Sequence, residues 1–366
     1  MSSTFSLTRR QFVGATGALA AGLPFGASAA TDLTVGIVYV GPRDDYGWNQ
    51  SHAVAARALK AVPGIKVIEE ERVPETTAVA KSLSGMIQQD GAKLVFGTSF
   101  GYFNPFMVDA AKANPGVQFR HPTTLWTADK HPANLGGYFC YLDQAHHVNG
   151  IAAALSTKSD KIGFIAAKPI DLVLRNINAF TLGARRVNPK VQVHLIITGD
   201  WSLPVREAEA THALINIGCD VIASHVDSPK VIVQTAEARG AKTLGHNASQ
   251  AALAPKGFIT GAENKYETIY KGYADLLAKG LPLPNISIGG YDKDMVTSTP
   301  FGAGATEAAR NAALARIAEL KQGSPIFTGP IKDNQGKVVL NGTHGLYDPV
   351  LESTNYLVEG IVGSTR

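Results

Sequence analysis

Aromatic rings and side chains with paired donors or acceptors recur in the loops that follow the predicted strands. Trp48, for example, lies between Asp45 and Asn49. Flat rings stack on a planar heterocycle, while carboxylate and amide groups bond to its edge. This combination predicts a site for a small, flat, nitrogen-rich solute. We expect its ligand-binding residues to be Asp45, Trp48, Asn49, Ser99, Phe100, Asp171, Trp201, Asp227, Asn247 and Lys265.

Two of these residues also have a purely structural interpretation. Trp201 can pack at the entry of the helix predicted after it. Asp227 can accept hydrogen bonds at a helix start, where the helix dipole favours a carboxylate. Both interpretations stay open for these two residues. For Trp48 the sequence favours ligand contact, because Gly47 lets the loop carry a large ring outward.

Enzyme motifs are weak in this chain. Residues 97–101 read Gly-Thr-Ser-Phe-Gly, which matches the letters of a nucleophile elbow, but an HGGG-type oxyanion loop is missing. The chain has no Walker loop, no dinucleotide fingerprint after the first strand and no HExxH. The ten histidines are scattered, and the neighbours His146 and His147 should point to different faces. We therefore expect no catalytic residues, no metal site and no cofactor.

The elements that must position these loops follow a βαβ pattern. Short apolar runs alternate with helical patterns, which predicts an α/β protein with parallel sheets, and ligands of such sheets bind beyond the carboxyl ends of the strands. Ser228 and Pro229 predict a helix start, Gly240 and Gly280 predict helix ends, and residues 334–336 predict a hairpin turn. The predicted strands are 33–40, 66–70, 94–96, 161–166, 191–197, 221–224, 242–244 and 258–261. The predicted helices are 49–62, 77–89, 172–187, 204–217, 229–239 and 265–279.

The first thirty residues predict an export signal. Arg9 and Arg10 precede the weakly apolar segment 12–23, which is typical of a twin-arginine signal, although an ordinary signal peptide stays possible. Small residues then predict cleavage near Ala29 or Ala30. No later run reaches the roughly 18 apolar residues of a membrane span. We expect a mature protein free in the bacterial periplasm.

Length and charge restrict the remaining possibilities. A chain of 366 residues with 45% hydrophobic and 17% charged residues can build two domains of ordinary size. Its net charge of +4 is dispersed, which argues against a nucleic-acid surface. Cys140 and Cys219 lie beside apolar runs, so we expect buried thiols rather than a disulfide.

Several motifs, taken together, resemble the basic membrane protein (BMP) family of ABC-transporter substrate-binding proteins. They occur in the expected order over nearly the whole mature chain, at 35–42, 45–48, 98–102, 178–184, 225–229 and 327–333. The resemblance implies a type I periplasmic-binding-protein fold, with two Rossmann-like lobes joined by a three-segment hinge. Residues 31–140 and about 263–297 would form lobe I, and residues 141–262 and about 298–366 would form lobe II.

The resemblance also implies roles for the site residues. Trp48 would stack on a purine base or nucleoside, and Lys265 would lie near the sugar. One departure is that His246-Asn247 stands where family members usually carry an aspartate, which weakens the case for ribose recognition. Asp45 and Asn49 would flank the ring, with Ser99 and Phe100 on lobe I and Asp171, Trp201 and Asp227 on lobe II.

The expected function is capture of a planar nitrogenous solute for an ABC importer. The monomer would close around its ligand by hinge motion and then dock on a permease in the inner membrane. Two alternatives stay open. The same fold can serve as a sensor module that feeds a receptor, and an exported cofactor-dependent enzyme is the other alternative.

Overall fold

The computed structural model describes residues 33–365, so the predicted export signal lies outside the described residues. The helices are α1 (Trp48–Lys60), α2 (Ala78–Gln88), α3 (Val108–Ala113), α4 (Asp143–Ala154), α5 (Asp171–Val187), α6 (Pro204–Asn216), α7 (Lys230–Ala238), α8 (Tyr266–Ala278) and α9 (Glu307–Lys321). The strands are β1 (Leu33–Val38), β2 (Ile65–Glu70), β3 (Leu94–Gly97), β4 (Gln118–His121), β5 (Leu135–Cys140), β6 (Lys161–Ala166), β7 (Gln192–Ile197), β8 (Val221–His225), β9 (Lys242–Asn247), β10 (Phe258–Asn264), β11 (Ile286–Gly289), β12 (Val296–Ser298), β13 (Phe327–Thr328), β14 (Ile331–Lys332), β15 (Val338–Leu340), β16 (Thr343–His344) and β17 (Ile361–Val362).

Two large sheets organise the described chain. Lobe I contains the sheet β11-β5-β4-β3-β1-β2, whose pairs are all parallel. Lobe II contains the sheet β12-β10-β9-β8-β6-β7-β17, in which only β12 pairs antiparallel. The chain passes between the sheets after β5, after β10 and after β11. The predicted α/β architecture with three crossovers is confirmed.

Helix α4 carries the chain from the first lobe into the second, and every one of its residues is buried. It packs against α5 so closely that a Cβ on Gly150 would lie 1.9 Å from the carbonyl oxygen of Phe180. A Cβ on Gly183 would likewise lie 2.1 Å from the carbonyl oxygen of His147. Glycine is therefore required on both helices for backbones to approach this closely.

Most predicted elements are confirmed to within a few residues, with one correction at a helix start. Helix α7 begins at Lys230, so Pro229 holds the cap position rather than the first helical position. Ser228 makes no capping bond there. Gly240 and Gly280 end their helices with positive φ, as predicted. The hairpin of β14 and β15 turns through residues 333–337, which confirms that prediction.

Both cysteines are buried and free, as the sequence indicated. Cys140 is the last residue of β5 and packs in the main core cluster, and Cys219 lies in a separate apolar cluster of the second lobe. Within residues 33–365, none of the helices has the length and apolar character needed to cross a bilayer.

Candidate ligand-binding site between the lobes

The loop between β1 and α1 is held by a single buried carboxylate. Asp45 accepts hydrogen bonds from the backbone N–H groups of Gly47, Asn49 and Gln50, each at 2.9 Å. The Asn49 side-chain amide donates to the same carboxylate at 2.8 Å and accepts from Gly41 N–H at 3.1 Å. Asp45 and Asn49 thus satisfy one another and the start of α1, which fixes the loop in one shape.

Trp48 is the first residue of α1, and its ring is held in place by lobe I. The indole Nε1 donates to the carbonyl oxygen of Thr98 at 2.6 Å. The ring meets His52 and Tyr266 edge-on, with centroids 4.8 and 6.1 Å away. His52 and Tyr266 stack on each other at 4.1 Å. The indole itself stays only half-buried, so part of it is free to contact a ligand.

Tyr266 and His52 were not predicted as site residues. The sequence carried a signal for Tyr266, because Tyr266, Tyr270 and Tyr273 recur at the spacing of one helix face. No comparable pattern marks His52, whose Nδ1 bonds to the hydroxyl of Tyr270 at 2.8 Å.

The loop that carries Trp48 touches lobe II directly. The backbone N–H of Trp48 donates to the carbonyl oxygen of Asp227 at 3.0 Å. Gln250 of lobe II donates through Nε2 to the carbonyl oxygen of Tyr46, also at 3.0 Å. Gly47 lies so close that a Cβ there would be 2.0 Å from the Asp227 carbonyl oxygen. The loops after β1 and β8 therefore meet across the interlobe gap, which brings Trp48 and Asp227 together.

The Asp227 carboxylate is the least satisfied charge at this contact. It is half-buried, and within residues 33–365 no group donates a hydrogen bond to it. Its predicted alternative role as a helix-start acceptor is wrong, because α7 has no side-chain cap. Burial raises the pKa of Asp227 well above its usual value, and the nearby carboxylates of Asp45 and Asp200 raise it further. Asp200 is paired with Lys168 at 2.8 Å, whereas among residues 33–365 the Asp227 carboxylate has no donor of its own.

Trp201 and Asn247 lie on the lobe II side. The Trp201 ring centroid is 6.2 Å from that of His225 and 5.7 Å from the Lys168 ammonium nitrogen. Its carbonyl oxygen accepts the backbone N–H of Asp227 at 2.8 Å, which ties the two loops together. Asn247 ends β9 in a left-handed conformation, with its side-chain oxygen bonded to the Asn264 amide at 3.0 Å.

Ser99 and Phe100 follow β3. The Ser99 hydroxyl donates to Glu75, and its carbonyl oxygen accepts from His121 Nε2 at 2.7 Å. His121 therefore bonds to the backbone of Ser99 and not to its hydroxyl. The two side chains do not form a serine–histidine pair. Phe100 is 68% exposed, so its ring contacts solvent rather than the Trp48 cluster.

Asp171 and Lys265 each bond to a group outside the contact between the Trp48 and Asp227 loops. Asp171 is exposed at the first position of α5 and accepts the N–H of Leu172 at 2.7 Å. Lys265 forms an ion pair with Asp294 at 2.6 Å. For both residues, ligand contact stays a prediction.

Three histidines meet beside this site, which corrects the prediction that the histidines are scattered. His146 Nε2 and His246 Nδ1 lie 2.9 Å apart, and the His225 and His246 ring centroids are 4.1 Å apart. Burial lowers the pKa of His225 to about 3 and lowers those of the other two rings well below their usual value. All three are therefore neutral at pH 7. Their separation in the chain hid the cluster, although His225 and His246 both stand at the ends of neighbouring strands.

Known proteins resemble this chain in sequence and in fold. A family model described as ABC transporter substrate-binding protein PnrA-like (Bmp) matches residues 33–299. A purine-binding protein of Brucella abortus is 33% identical over 350 residues, which cover 94% of this chain and 97% of that protein. A putative ABC transporter glucose-binding protein of Haloferax volcanii is 34% identical over 61% of this chain and 55% of that protein. A solute-binding protein structure from Conexibacter woesei superposes with a TM-score of 0.69 at 22% identity, over 79% of this chain and 96% of that chain.

Proposed function

This chain belongs to the Bmp family of PnrA-like ABC transporter substrate-binding proteins, and we propose that its ligand is a purine base or nucleoside held between the lobes. The family binds solutes and performs no chemistry on them in this role. The two-lobed α/β fold matches that of solved solute-binding proteins. The ligand class and the importer role are proposals: the contacts between the lobes support the first, and the family membership supports the second.

The observation that carries the ligand class is the carboxylate of Asp227, which no group in the described chain contacts as a donor. A half-buried carboxylate without a partner is costly, so a ligand that supplies N–H donors gains a charge-assisted bond. Phosphate or carboxylate groups would instead repel it. This argues for an uncharged or cationic solute with N–H groups on its edge, which a purine base provides.

Aromatic rings on both lobes supply the second part of recognition. Trp48 is half-buried on lobe I, and Trp201 is half-buried on lobe II. Stacking on such rings is worth about 0.5–1.5 kcal/mol beyond simple burial. With a few hydrogen bonds at about 1 kcal/mol each and buried apolar area, micromolar affinity is reached.

The other predicted residues take supporting positions in this proposal. Asp45 and Asn49 hold the Trp48 loop, and Ser99 and Asn247 lie at the strand ends that border the gap. Phe100, Asp171 and Lys265 would contact a ligand only at its rim. No catalytic residue and no cofactor enter the proposal.

We further propose that the protein works in the periplasm as a monomer and delivers its ligand to an ABC permease. A ligand that touches both lobes would favour the closed state, in which the loops after β1 and β8 are in contact. A sensor module with the same site would bind the same ligand but pass it to no permease.

The test is a ligand panel measured by thermal shift and calorimetry. A ligand that binds only the folded protein raises its melting temperature by mass action. We expect nucleobases or nucleosides to stabilise the protein, while nucleotides, amino acids and sugars do not. Stabilisation by glucose in the absence of any response to purines would overturn the ligand class, as the relative in Haloferax volcanii makes this the sharpest rival.

Tryptophan replacement locates the site. Trp48→Ala should weaken binding at least tenfold, because the stacking surface and its contact with Thr98 are lost together. Trp126 serves as the matched control, since its Nε1 bonds to Pro132 within lobe I and it packs in a cluster away from Trp48. Equal affinity of Trp48→Ala and Trp126→Phe would remove Trp48 from the site.

A further inference from the structure

The cluster of His146, His225 and His246 brings together side chains from three separate elements. His146 lies on α4, His225 ends β8, and His246 is the penultimate residue of β9. One ring nitrogen from each lies within 4.8 Å of the others, and all three residues are at least 95% buried. The cluster borders the gap through His225, whose ring lies beside that of Trp201.

We propose that His146, His225 and His246 form a binding site for a divalent transition-metal ion, with Zn²⁺ as the reference ion. Neutral imidazole nitrogens are the ligands that Zn²⁺, Cu²⁺ and Ni²⁺ share, and three of them with a fourth open position is a known arrangement for zinc. The proposal does not depend on which solute the gap binds.

The spacing of the nitrogens fits such an ion after small movements. Zinc–nitrogen bonds of about 2.0–2.1 Å in a tetrahedron place the ligand nitrogens about 3.3–3.4 Å apart. His146 Nε2 and His246 Nδ1 are 2.9 Å apart and would separate slightly. The remaining nitrogen distances, up to 4.8 Å, would shorten by about 1 Å or more through ring rotation.

The ring nitrogens can release lone pairs to an ion by moving protons within the rings. The imidazoles of His146 and His246 now share one hydrogen bond, so one facing nitrogen carries a proton and the other a lone pair. Their outer nitrogens, His146 Nδ1 and His246 Nε2, have no partner among residues 33–365. On metal binding the shared proton moves to the outer nitrogen of the same ring. Both facing nitrogens then offer lone pairs. His225 carries its lone pair on Nδ1, which accepts from the Asn176 side-chain amide at 3.2 Å, and it would offer that lone pair once this bond breaks. No proton leaves the protein.

A second unpartnered group lies next to the cluster. Asn149 is three residues after His146 on α4, and its amide nitrogen donates to the carbonyl oxygen of Gly245, the neighbour of His246. The side-chain oxygen of Asn149 is buried and, within the described chain, accepts no hydrogen bond. Outer N–H groups of metal-bound histidines normally need such an acceptor. The Asn149 oxygen therefore lies near the cluster as an acceptor that has no donor in the metal-free protein.

The experiment uses tag-free protein, because a histidine tag would bind the same ions. Protein dialysed against a chelator is titrated with Zn²⁺ by calorimetry and with Co²⁺ by visible absorption, both without any purine. The variants are His225→Gln and His246→Gln. The control is His212→Gln, which removes an exposed histidine that contacts only surface groups such as Arg239.

We expect one Zn²⁺ per chain and intense visible Co²⁺ bands from a four-coordinate site. Each cluster variant should weaken Zn²⁺ binding at least about 100-fold, since loss of even an outer-shell partner costs about 10- to 100-fold. The control should bind within twofold of the unmodified protein. Zinc binding that survives both cluster substitutions, or no binding by the unmodified protein, would overturn the site.

The two variants remove buried side chains, so their folding is checked by circular dichroism. If both fail to fold, the Co²⁺ spectrum of the unmodified protein decides the matter. Intense bands support the three-histidine site, and only the weak bands of a six-coordinate surface ion contradict it. Purine binding measured on the same samples distinguishes failure of this site from failure of the proposed function.

Discussion

Replacing Gly47 by alanine adds one methyl group at the point where the lobes meet. In the structure a Cβ at this position would lie 2.0 Å from the carbonyl oxygen of Asp227 and 2.8 Å from Cδ of Pro229. The first of these contacts is with backbone, which cannot rotate away. The loops after β1 and β8 must therefore move apart before Gly47→Ala can be accommodated.

The size of the effect follows from that movement. To bring the Cβ–oxygen distance to 3.0 Å, the shortest that real Cβ atoms show, the loops must separate by about 1 Å. The hydrogen bond from Trp48 N–H to the Asp227 carbonyl oxygen, now 3.0 Å, then exceeds bonding range. Losing that bond and part of a ligand's contact with one lobe costs about 2–4 kcal/mol, or about 30- to 1,000-fold in affinity.

Calorimetry measures the affinity of Gly47→Ala for the purine that binds the unmodified protein. Small-angle scattering with and without that purine reports the closure, which should be reduced in the variant. The matched control is Gly85→Ala on α2, where an added Cβ meets no atom within 4 Å. A variant that binds within twofold of the unmodified protein and closes normally would refute the interlobe contact as the route to binding.

Three further predictions concern the charge of Asp227, the packing of Gly150 and the loop held by Asp45. Asp227→Asn should lower purine affinity about 10- to 100-fold, as measured by calorimetry. Because the folded state raises the pKa of Asp227, the unmodified apo protein should lose stability as pH rises from near 3.8. Thermal melts of the variant should lack that loss. Gly150→Ala should destabilise the protein by at least about 2 kcal/mol in denaturant titrations, since its Cβ would lie 1.9 Å from the Phe180 carbonyl oxygen; Gly272→Ala, with open space around it, should not. Asp45→Ala should cost about 1–2 kcal/mol in the same titrations and weaken purine binding as well, and unchanged values would contradict its role in holding the loop.

The strands of the sheets and the ends of the helices could be predicted because they depend on local sequence. Continuous apolar runs such as Leu94–Gly97 are buried on both faces, and Gly240 and Gly280 adopt the positive φ that ends a helix. Helix α4 escaped prediction for the opposite reason. It is buried on every side, so Asp143–Ala154 shows no polar face and no apolar period.

The sequence predicted which loops carry the candidate site but not the contacts that each of its residues makes. Two of these loops, after β1 and β8, do meet in the structure, because the carboxyl ends of the strands in both sheets face the same interlobe region. The role of Asp45 depends on the backbone of the next turn, where its oxygens are used by three N–H groups. The meeting of His146 with His246, 100 residues apart, depends on packing that no local pattern encodes.

The proposed function gives the unpaired carboxylate of Asp227 a thermodynamic role. When the lobes are apart, water solvates this group, and when the Trp48 loop closes over it the charge loses water without gaining a donor. Closure without a ligand is therefore disfavoured at neutral pH. A purine N–H edge converts that penalty into a charge-assisted bond, so the ligand binds the closed state with a large differential affinity. Because Asp45 already fixes the opposing loop, little further ordering opposes the change, and the same residue that makes the empty closed state unfavourable makes the filled one stable.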